Sequence, residues 1–452
     1  MSSVRRTLCY TALAVSLVFF LFSDARNEVS DAWSSLVSGT PDFSKYVDVA
    51  SLNIDEFPLD DENRRVIVVG DIHGMHEKLL ELLSEVSFDP LSDVLVSVGD
   101  ILAKGPHSGS MAVLDFMVSN NVTAVRGNHD QKVIEWRSWM NWIQSMPGGR
   151  RWLDHAIQEW HKAQKKGEDD VQEWVTKKMK YDIEHRKWWR KIPQDWKFLG
   201  DHFKIAKDMT AAHYQYLVSL PLKIHIPHAH TFIVHAGLLA SDPKYLPSNS
   251  RQPLARAPKV PKHLSTAKKN STLGFLRLLQ EQAILTDVPQ NTVPWNVLNM
   301  RGVTHKKHRI TRDNGEGKPW SKLYKKDMAM CKGFDTEEKH TLPCMPATVI
   351  YGHAASRGLD IKRWSIGLDT GCVYNRRLTA LVLGGQGNHL LNETEDILFG
   401  GLNEFGDNFD GVDYDNVEED EDEDEDYSRQ KKTPSKIRFG DNGWARLVSI
   451  GC

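Results

Sequence analysis

Six side chains with metal-binding chemistry stand at regular places in this 452-residue chain. Asp71 and His73 lie two residues apart in Gly70-Asp71-Ile72-His73-Gly74. Asp100 follows Gly99, Asn128 follows Gly127, His235 precedes Ala236-Gly237, and His353 follows Gly352. Carboxylates, an amide and imidazoles are ligands for hard-to-borderline divalent metals. Two aspartates, one asparagine and three histidines suffice for two adjacent ions, with one carboxylate bridging and positions left open for water. Two ions about 3.5–4 Å apart clamp a phosphoryl group and generate hydroxide for in-line attack. The mixed N/O set suits zinc, manganese or iron.

Strands must carry these groups. Val66 to Val69, within Arg65 to Val69, is an apolar run that reads as a buried strand, and Val94 to Val98 and Val122 to Arg126 repeat the pattern. Between them, Glu77 to Val86 places Leu79, Leu80, Leu82, Leu83 and Val86 at helical spacing, and Ser108 to Val118 reads as a second helix. A strand–helix–strand–helix–strand order with a polar group at each strand end is the ligand-binding edge of an α/β sheet. Met209 to Leu220 is expected to be helical. Leu222 to Ile226 and Thr231 to Val234 read as a hairpin ending at His235. Thr348 to Tyr351 is a strand ending at His353. Trp364 to Leu368 and Leu378 to Leu383 are two more, joined through Asp369-Thr370-Gly371-Cys372.

The rest of the chain divides by composition. Residues 131–208 hold nine of the 14 tryptophans among many lysines and arginines, the mark of a helical insertion whose tryptophans build its packing or line a cleft. Residues 251–332 carry 17 Lys/Arg against five Asp/Glu, and their prolines and glycines make much of the stretch loop; the basic insertion spans 240–345. His225, His228 and His230 read as exposed loop histidines rather than a further metal site. Residues 403–452 form an acidic, low-complexity tail expected to be disordered. Its eleven acids between Asp413 and Asp426 hide a basic body: setting them aside turns a net charge of −3 into about +8. A basic body fits an anionic substrate or surface.

At the N-terminus, an uncharged run from Thr7 to Phe22 follows Arg5 and Arg6. It is expected to be a signal anchor, with residues 1–6 cytosolic, 24–62 a stalk and 63–402 the catalytic body on the luminal side; the alternative is a cleaved signal peptide. Sequons at Asn121, Asn270 and Asn392 agree with a luminal body. The five cysteines contain no CxxC pair, and Cys331 and Cys344 are candidates for a disulfide in an oxidising compartment.

Taken in order, Gly70-Asp71-Ile72-His73-Gly74, Gly99-Asp100, Gly127-Asn128-His129, His235-Ala236-Gly237 and Gly352-His353 resemble the phosphoprotein phosphatase branch of the metallophosphoesterases, over roughly residues 64–385. Lys104-Gly105-Pro106 and Leu368-Asp369-Thr370-Gly371-Cys372 resemble the diadenosine tetraphosphatase subgroup. The serine/threonine phosphatases instead carry Asp-Arg-Gly at Ala103-Lys104-Gly105 and Glu at Asp130. The resemblance implies an α/β fold, a calcineurin-like β-sandwich flanked by helices. It also implies two divalent ions: zinc first, with manganese, cobalt or iron as alternatives. Asp71, His73 and Asp100 would hold one ion; Asp100, Asn128, His235 and His353 the other. His129 would be the general acid, and Lys104, Arg126 and Arg301 phosphate binders.

One position departs from the family. Ala103 stands where an acidic or amide residue orients the acid histidine, so Asp130 or a distant residue must take over, or acid catalysis is weak. Weak acid catalysis penalises an alkoxide leaving group more than a phosphate, which favours phosphoanhydride cleavage. The short anchor, motif set, basic insertions and acidic tail are similar to the fungal vacuolar zinc-dependent endopolyphosphatases. That likeness implies a single-pass vacuolar membrane protein acting on inorganic polyphosphate, with no nucleic-acid partner. The alternatives are a dinucleoside polyphosphate or RNA-cap pyrophosphohydrolase, a protein phosphatase, and an inactive polyanion-binding scaffold.

Overall fold

The computed structural model describes residues 41–259, 269–336, 338–385 and 435–452. Two compact units share them: residues 41–45 with 131–209, and residues 46–130 with the described part of 210–452.

The larger unit holds two six-stranded sheets and a small three-stranded one, in which β7 (Gly302–Val303) lies between β8 (Ile310–Thr311) and β9 (Lys318–Pro319). The first runs β1 (Val47–Ser51), β5 (Pro221–Ile226), β6 (Thr231–Val234), β10 (Thr348–Tyr351), β12 (Ser365–Gly367) and β11 (Asp360–Lys362). The second runs β14 (Lys436–Phe439), β15 (Gly443–Gly451), β13 (Arg377–Gly384), β2 (Arg65–Val69), β3 (Asp93–Ser97) and β4 (Thr123–Ala124). Val66, Val68, Val96, Val98 and Leu381 of one sheet meet Ile224, Ile233, Ile350 and Ile366 of the other in one buried cluster. Each such side chain contributes about 1.5–3 kcal/mol by leaving water.

Register fixes where the strands end. β2, β3 and β4 are mutually parallel, with Val68 opposite Val96 and Ser97 opposite Ala124. In the facing sheet β6, β10 and β12 are parallel, with Ile350 beside both Ile233 and Ile366. Strands that run together end together, so the residues after β2, β3 and β4, and those after β6 and β10, collect at sheet edges.

The helices His76–Glu85 and His107–Ser119 fall where sequence periodicity placed them, as does Ala211–Ser219. Three expectations change. The stalk is folded in its second half: β1 pairs in parallel with β5, and Leu52 and Phe57 are buried. The basic stretch is not mainly loop, because Lys269–Asp287 is a 19-residue helix and Trp320–Ala329 a ten-residue one. The tail is folded over its described residues: β14 and β15 form a hairpin, with Leu447 opposite Leu381 of β13. Cys452 is disulfide-bonded to Cys372. Cys331 and Cys344 form a second disulfide.

The loop histidines are also not exposed. Glu281, fully buried, accepts from His225 at 2.7 Å and His230 at 2.8 Å, while His228 reaches Phe57 O.

The other unit is helical and organised by its own aromatic rings. Phe198 sits 4.8–6.1 Å from Trp136, Trp139, Trp152, Trp189 and Phe203. Two of the buried indole N–H groups find acceptors, Trp139 in Lys191 O and Trp189 in Asp182. Seven of the nine tryptophans, all but Trp142 and Trp196, are buried, so packing within this unit accounts for them. Among the described residues no helix is long and apolar enough to cross a membrane; residues 7–22 lie outside the described residues.

Candidate metal centre

Two groups of side chains close up at the strand ends. Asp71, His73 and Asp100 offer ligand atoms within 4.8 Å of one another, and so do Asp100, His235 and His353. Asp100 belongs to both. All five are buried. His73 Nε2 lies 4.0 Å from Asp71 Oδ2 and 3.6 Å from Asp100 Oδ2; His235 Nε2 lies 3.4 Å from the same Asp100 oxygen. Asn128 joins the second group through Oδ1, which faces His235 Nε2 at 3.1 Å and His353 Nδ1 at 3.0 Å.

Backbone fixes which ring nitrogens face inward. His235 Nδ1 is 2.9 Å from Val98 O and His73 Nδ1 is 3.2 Å from Leu102 O, so each donates outward and turns Nε2 to the centre. Carboxylate orientation is fixed in the same way. His129 N donates to Asp100 Oδ1, and His353 N to Asp71. The chain passes close enough that a Cβ at Gly352 would collide with the Asp71 carboxylate, and one at Gly127 with Asp100. His73, Asp100, Ala103, Lys104 and His353 all have positive φ, between 49° and 70°. Such backbone costs non-glycine residues of order 1–3 kcal/mol each and concentrates at functional sites.

The pocket demands positive charge. Asp71 is pushed well up by burial and by the Asp369 charge, and burial also raises Asp369. Burial pulls His235 down, yet the Asp100 carboxylate overrides it and lifts the imidazole to about 9. Burial likewise opposes ionisation of Asp100, but His235 and His129 hold it well below its usual range. His353, by contrast, is lowered by burial and by the His235 and Arg301 charges, and its Nε2 is buried without a partner.

Residues 64–239 match the family described as calcineurin-like phosphoesterase. Over that span the chain carries a calcineurin-like phosphoesterase domain. A serine/threonine-protein phosphatase 1 of Salmonella typhimurium is 41% identical over 101 residues, which is 22% of this chain and 45% of that protein. A symmetrical bis(5'-nucleosyl)-tetraphosphatase of Klebsiella pneumoniae is 45% identical over 65 residues, 14% of this chain and 22% of that one. The chain thus spans less than half the length of either curated relative. A crystal structure assigned as a diadenosine tetraphosphatase aligns over 75% of this chain and 94% of its own at 25% identity, with a TM-score of 0.38.

Metallophosphoesterases use two divalent metals, and the donor set gathered at this centre fits them. Carboxylate oxygens, an amide oxygen and inward-facing imidazole nitrogens converge on two points that share Asp100. Buried negative charge of this density is stable only when paired or bound to a cation.

The proposed phosphate binders separate. Lys104 Nζ is 3.3 Å from His73 Nε2 and Arg301 Nη2 donates to His353 O at 3.2 Å, so both border the centre. Arg126 makes different contacts. This fully buried guanidinium donates through Nη2 to Val218 O at 2.7 Å and Leu220 O at 3.0 Å, bracing the end of the helix Ala211–Ser219. A strand-end arginine beside Asn128 looked like a ligand because sequence does not show which carbonyls surround it.

His129 lies edge-on to His73, with ring centroids 5.2 Å apart. Asp130 braces two loops: its carboxylate accepts Ile101 N at 3.1 Å and Gly127 N at 2.9 Å. Ala103 is buried, and its N–H donates to Ser110 Oγ. Asn121 is exposed on the turn before β4; the side chains of Asn270 and Asn392 lie outside the described residues.

Asp369 was missed as a site residue. It is buried, accepts Gly371 N at 3.1 Å, and raises Asp71 electrostatically. The signal was present: it follows β12 as Asp71 and Asp100 follow β2 and β3.

Proposed function

We propose that this chain cuts internal phosphoanhydride bonds of inorganic polyphosphate, using two divalent ions, zinc first among them. Its body would face the lumen of a vacuole from a single-pass anchor at residues 7–22. The observation that carries the reading is the flanking of the centre by cations on opposite ligands: Lys104 beside His73 and Arg301 beside His353. A substrate with a negative charge on every unit gains from cations on both sides of the scissile bond, whereas a phosphomonoester offers one charged group. Ala103 adds to this, since a phosphate leaving group needs less help from the acid.

When bound, the two ions would supply activated water and offset charge on the phosphoryl oxygens. The protein does the rest. His129 donates a proton to the departing phosphate oxygen. Lys104 and Arg301 hold the neighbouring phosphates in line. Asp130 and the backbone N–H of His129 keep Asp100 in place.

Cleavage of dinucleoside tetraphosphates is the second reading, favoured by the relative that is named for it. Purified protein incubated with long-chain polyphosphate should give intermediate lengths on a sizing gel. Release of terminal phosphate from otherwise intact long chains would overturn internal cutting. Turnover of diadenosine tetraphosphate with no attack on polyphosphate would establish the second reading. Protease protection of the body in intact vacuoles tests the location.

A further inference from the structure

Tyr374 is half exposed, at 52%. A single exposed aromatic is ordinarily unremarkable on a protein surface. This one differs in its foundation and its neighbour. The turn that carries it is tied down at every step. Gly371 N donates to Asp369 and Tyr374 N to Gly371 O, Cys372 is disulfide-bonded to Cys452, and Cys452 N donates to Arg376 O. Arg376 in turn donates to Ala355 O at 2.8 Å, two residues beyond His353. The inner end of the turn is therefore the buried Asp369 and its outer end an exposed ring on a rigid base.

The neighbour is Lys104. Its Nζ lies 5.7 Å from the centre of the Tyr374 ring and 3.3 Å from His73 Nε2. The ammonium thus sits between an aromatic face and a candidate metal ligand. With an ion bound, the His73 lone pair would serve the metal, and contacts other than His73 would hold the ammonium. The negative face of the ring attracts an ammonium at this distance. His129 borders the same His73 ring, so Lys104 and the candidate acid both neighbour one imidazole.

We propose that Tyr374 is a positioning residue for Lys104, and that the two form the subsite for the phosphate unit leaving the scissile bond. The substrate class rests on the polyphosphate reading; the placement of Lys104 by the ring does not. Arg376, exposed on the same turn, extends the cationic surface outward along an anionic chain.

The test is a mutant cycle on the full chain with zinc, reading kcat and KM on polyphosphate for wild type, Tyr374→Phe, Tyr374→Leu, Lys104→Met and Tyr374→Leu/Lys104→Met. Loss of the ring should raise KM about two- to five-fold, the range an exposed cation–π contact supports, with kcat within about two-fold. Tyr374→Phe, which keeps the ring, should match wild type and shows that the site tolerates substitution. In the Lys104→Met background, Tyr374→Leu should cause no further rise. An undiminished rise in that background, or no rise at all, overturns the proposal. Diadenosine tetraphosphate should show the same fold-change; a rise confined to it means the ring stacks a base and also overturns the proposal. If wild type cuts only the dinucleotide, the polyphosphate reading falls alone and the cycle is read on that substrate.

Discussion

The ammonium of Lys104 lies 3.3 Å from His73 Nε2, the nitrogen that backbone hydrogen bonding turns toward the metal centre. One lone pair cannot serve both an ammonium and a metal ion. Lys104→Met should therefore bind its first metal more tightly, as read by competition with a fluorescent chelator. It should also raise KM for polyphosphate about tenfold or more, the value of a lost hydrogen bond to a charged group. If neither metal affinity nor KM moved, Lys104 would have no part in the site.

Arg126 separates a structural arginine from a substrate-binding one. Arg126→Met leaves Val218 O and Leu220 O without their donor in a buried place. The expected cost is about 2–4 kcal/mol of stability, seen as a lower Tm, with KM unchanged in the protein that remains folded. A raised KM at unchanged Tm would restore Arg126 to the substrate site.

Asp327 lies in the helix Trp320–Ala329, where burial raises its carboxyl from 3.8 to about 6. The folded state then holds this proton more tightly than the unfolded state does. The stability it confers is full below about pH 4 and is lost as pH rises through 6. Asp327→Asn should flatten this part of the Tm-versus-pH curve between pH 4 and 7 and stabilise the protein at pH 7, by at most about 3 kcal/mol. An unchanged pH slope in the variant would contradict the assignment.

The Cys372–Cys452 bridge closes 80 residues of chain. In the chain-entropy account a loop of this length contributes about 4.5 kcal/mol. Cys452→Ser should lower Tm under non-reducing conditions and loosen the turn that carries Asp369 and Tyr374, raising KM as well. A lowered Tm with unchanged KM would separate the hairpin from the site.

The parts of the fold that the sequence displayed are those with local signals. Val66 to Val69 is an uninterrupted apolar run because β2 is buried by both faces of its surroundings, and its ends were readable to the residue. β4 shrank to Thr123–Ala124 because Arg126 N turns to Pro221 O instead of continuing the ladder. β1 was invisible because it is an edge strand whose side chains are mostly exposed, so no apolar run marks it. β15 was hidden for a different reason. Its partner β13 lies some 70 residues earlier, with the acid run between them, and a pairing set by distant register leaves no periodic trace beyond its own alternation. Helix Lys269–Asp287 was obscured by the prolines that precede it.

At the site, Asp71, His73, Asp100, Asn128, His235 and His353 were singled out because ligands must sit beside strand ends, and that placement is written in sequence order. Which cations approach them is not, since it depends on loops folding back from elsewhere. Lys104 and Arg301 come to the centre, Arg126 donates to two carbonyls, and Asp369, though it follows β12 as the other aspartates follow their strands, shows its effect on Asp71 only in the folded chain.

One buried carboxylate, Asp100, joins the two candidate metal positions. Chelator-stripped protein, titrated with zinc while polyphosphate cleavage is followed, tests it most directly. The rate should start near zero and reach its plateau at two equivalents per chain. Full activity in the stripped protein, or a plateau at one equivalent, would contradict it.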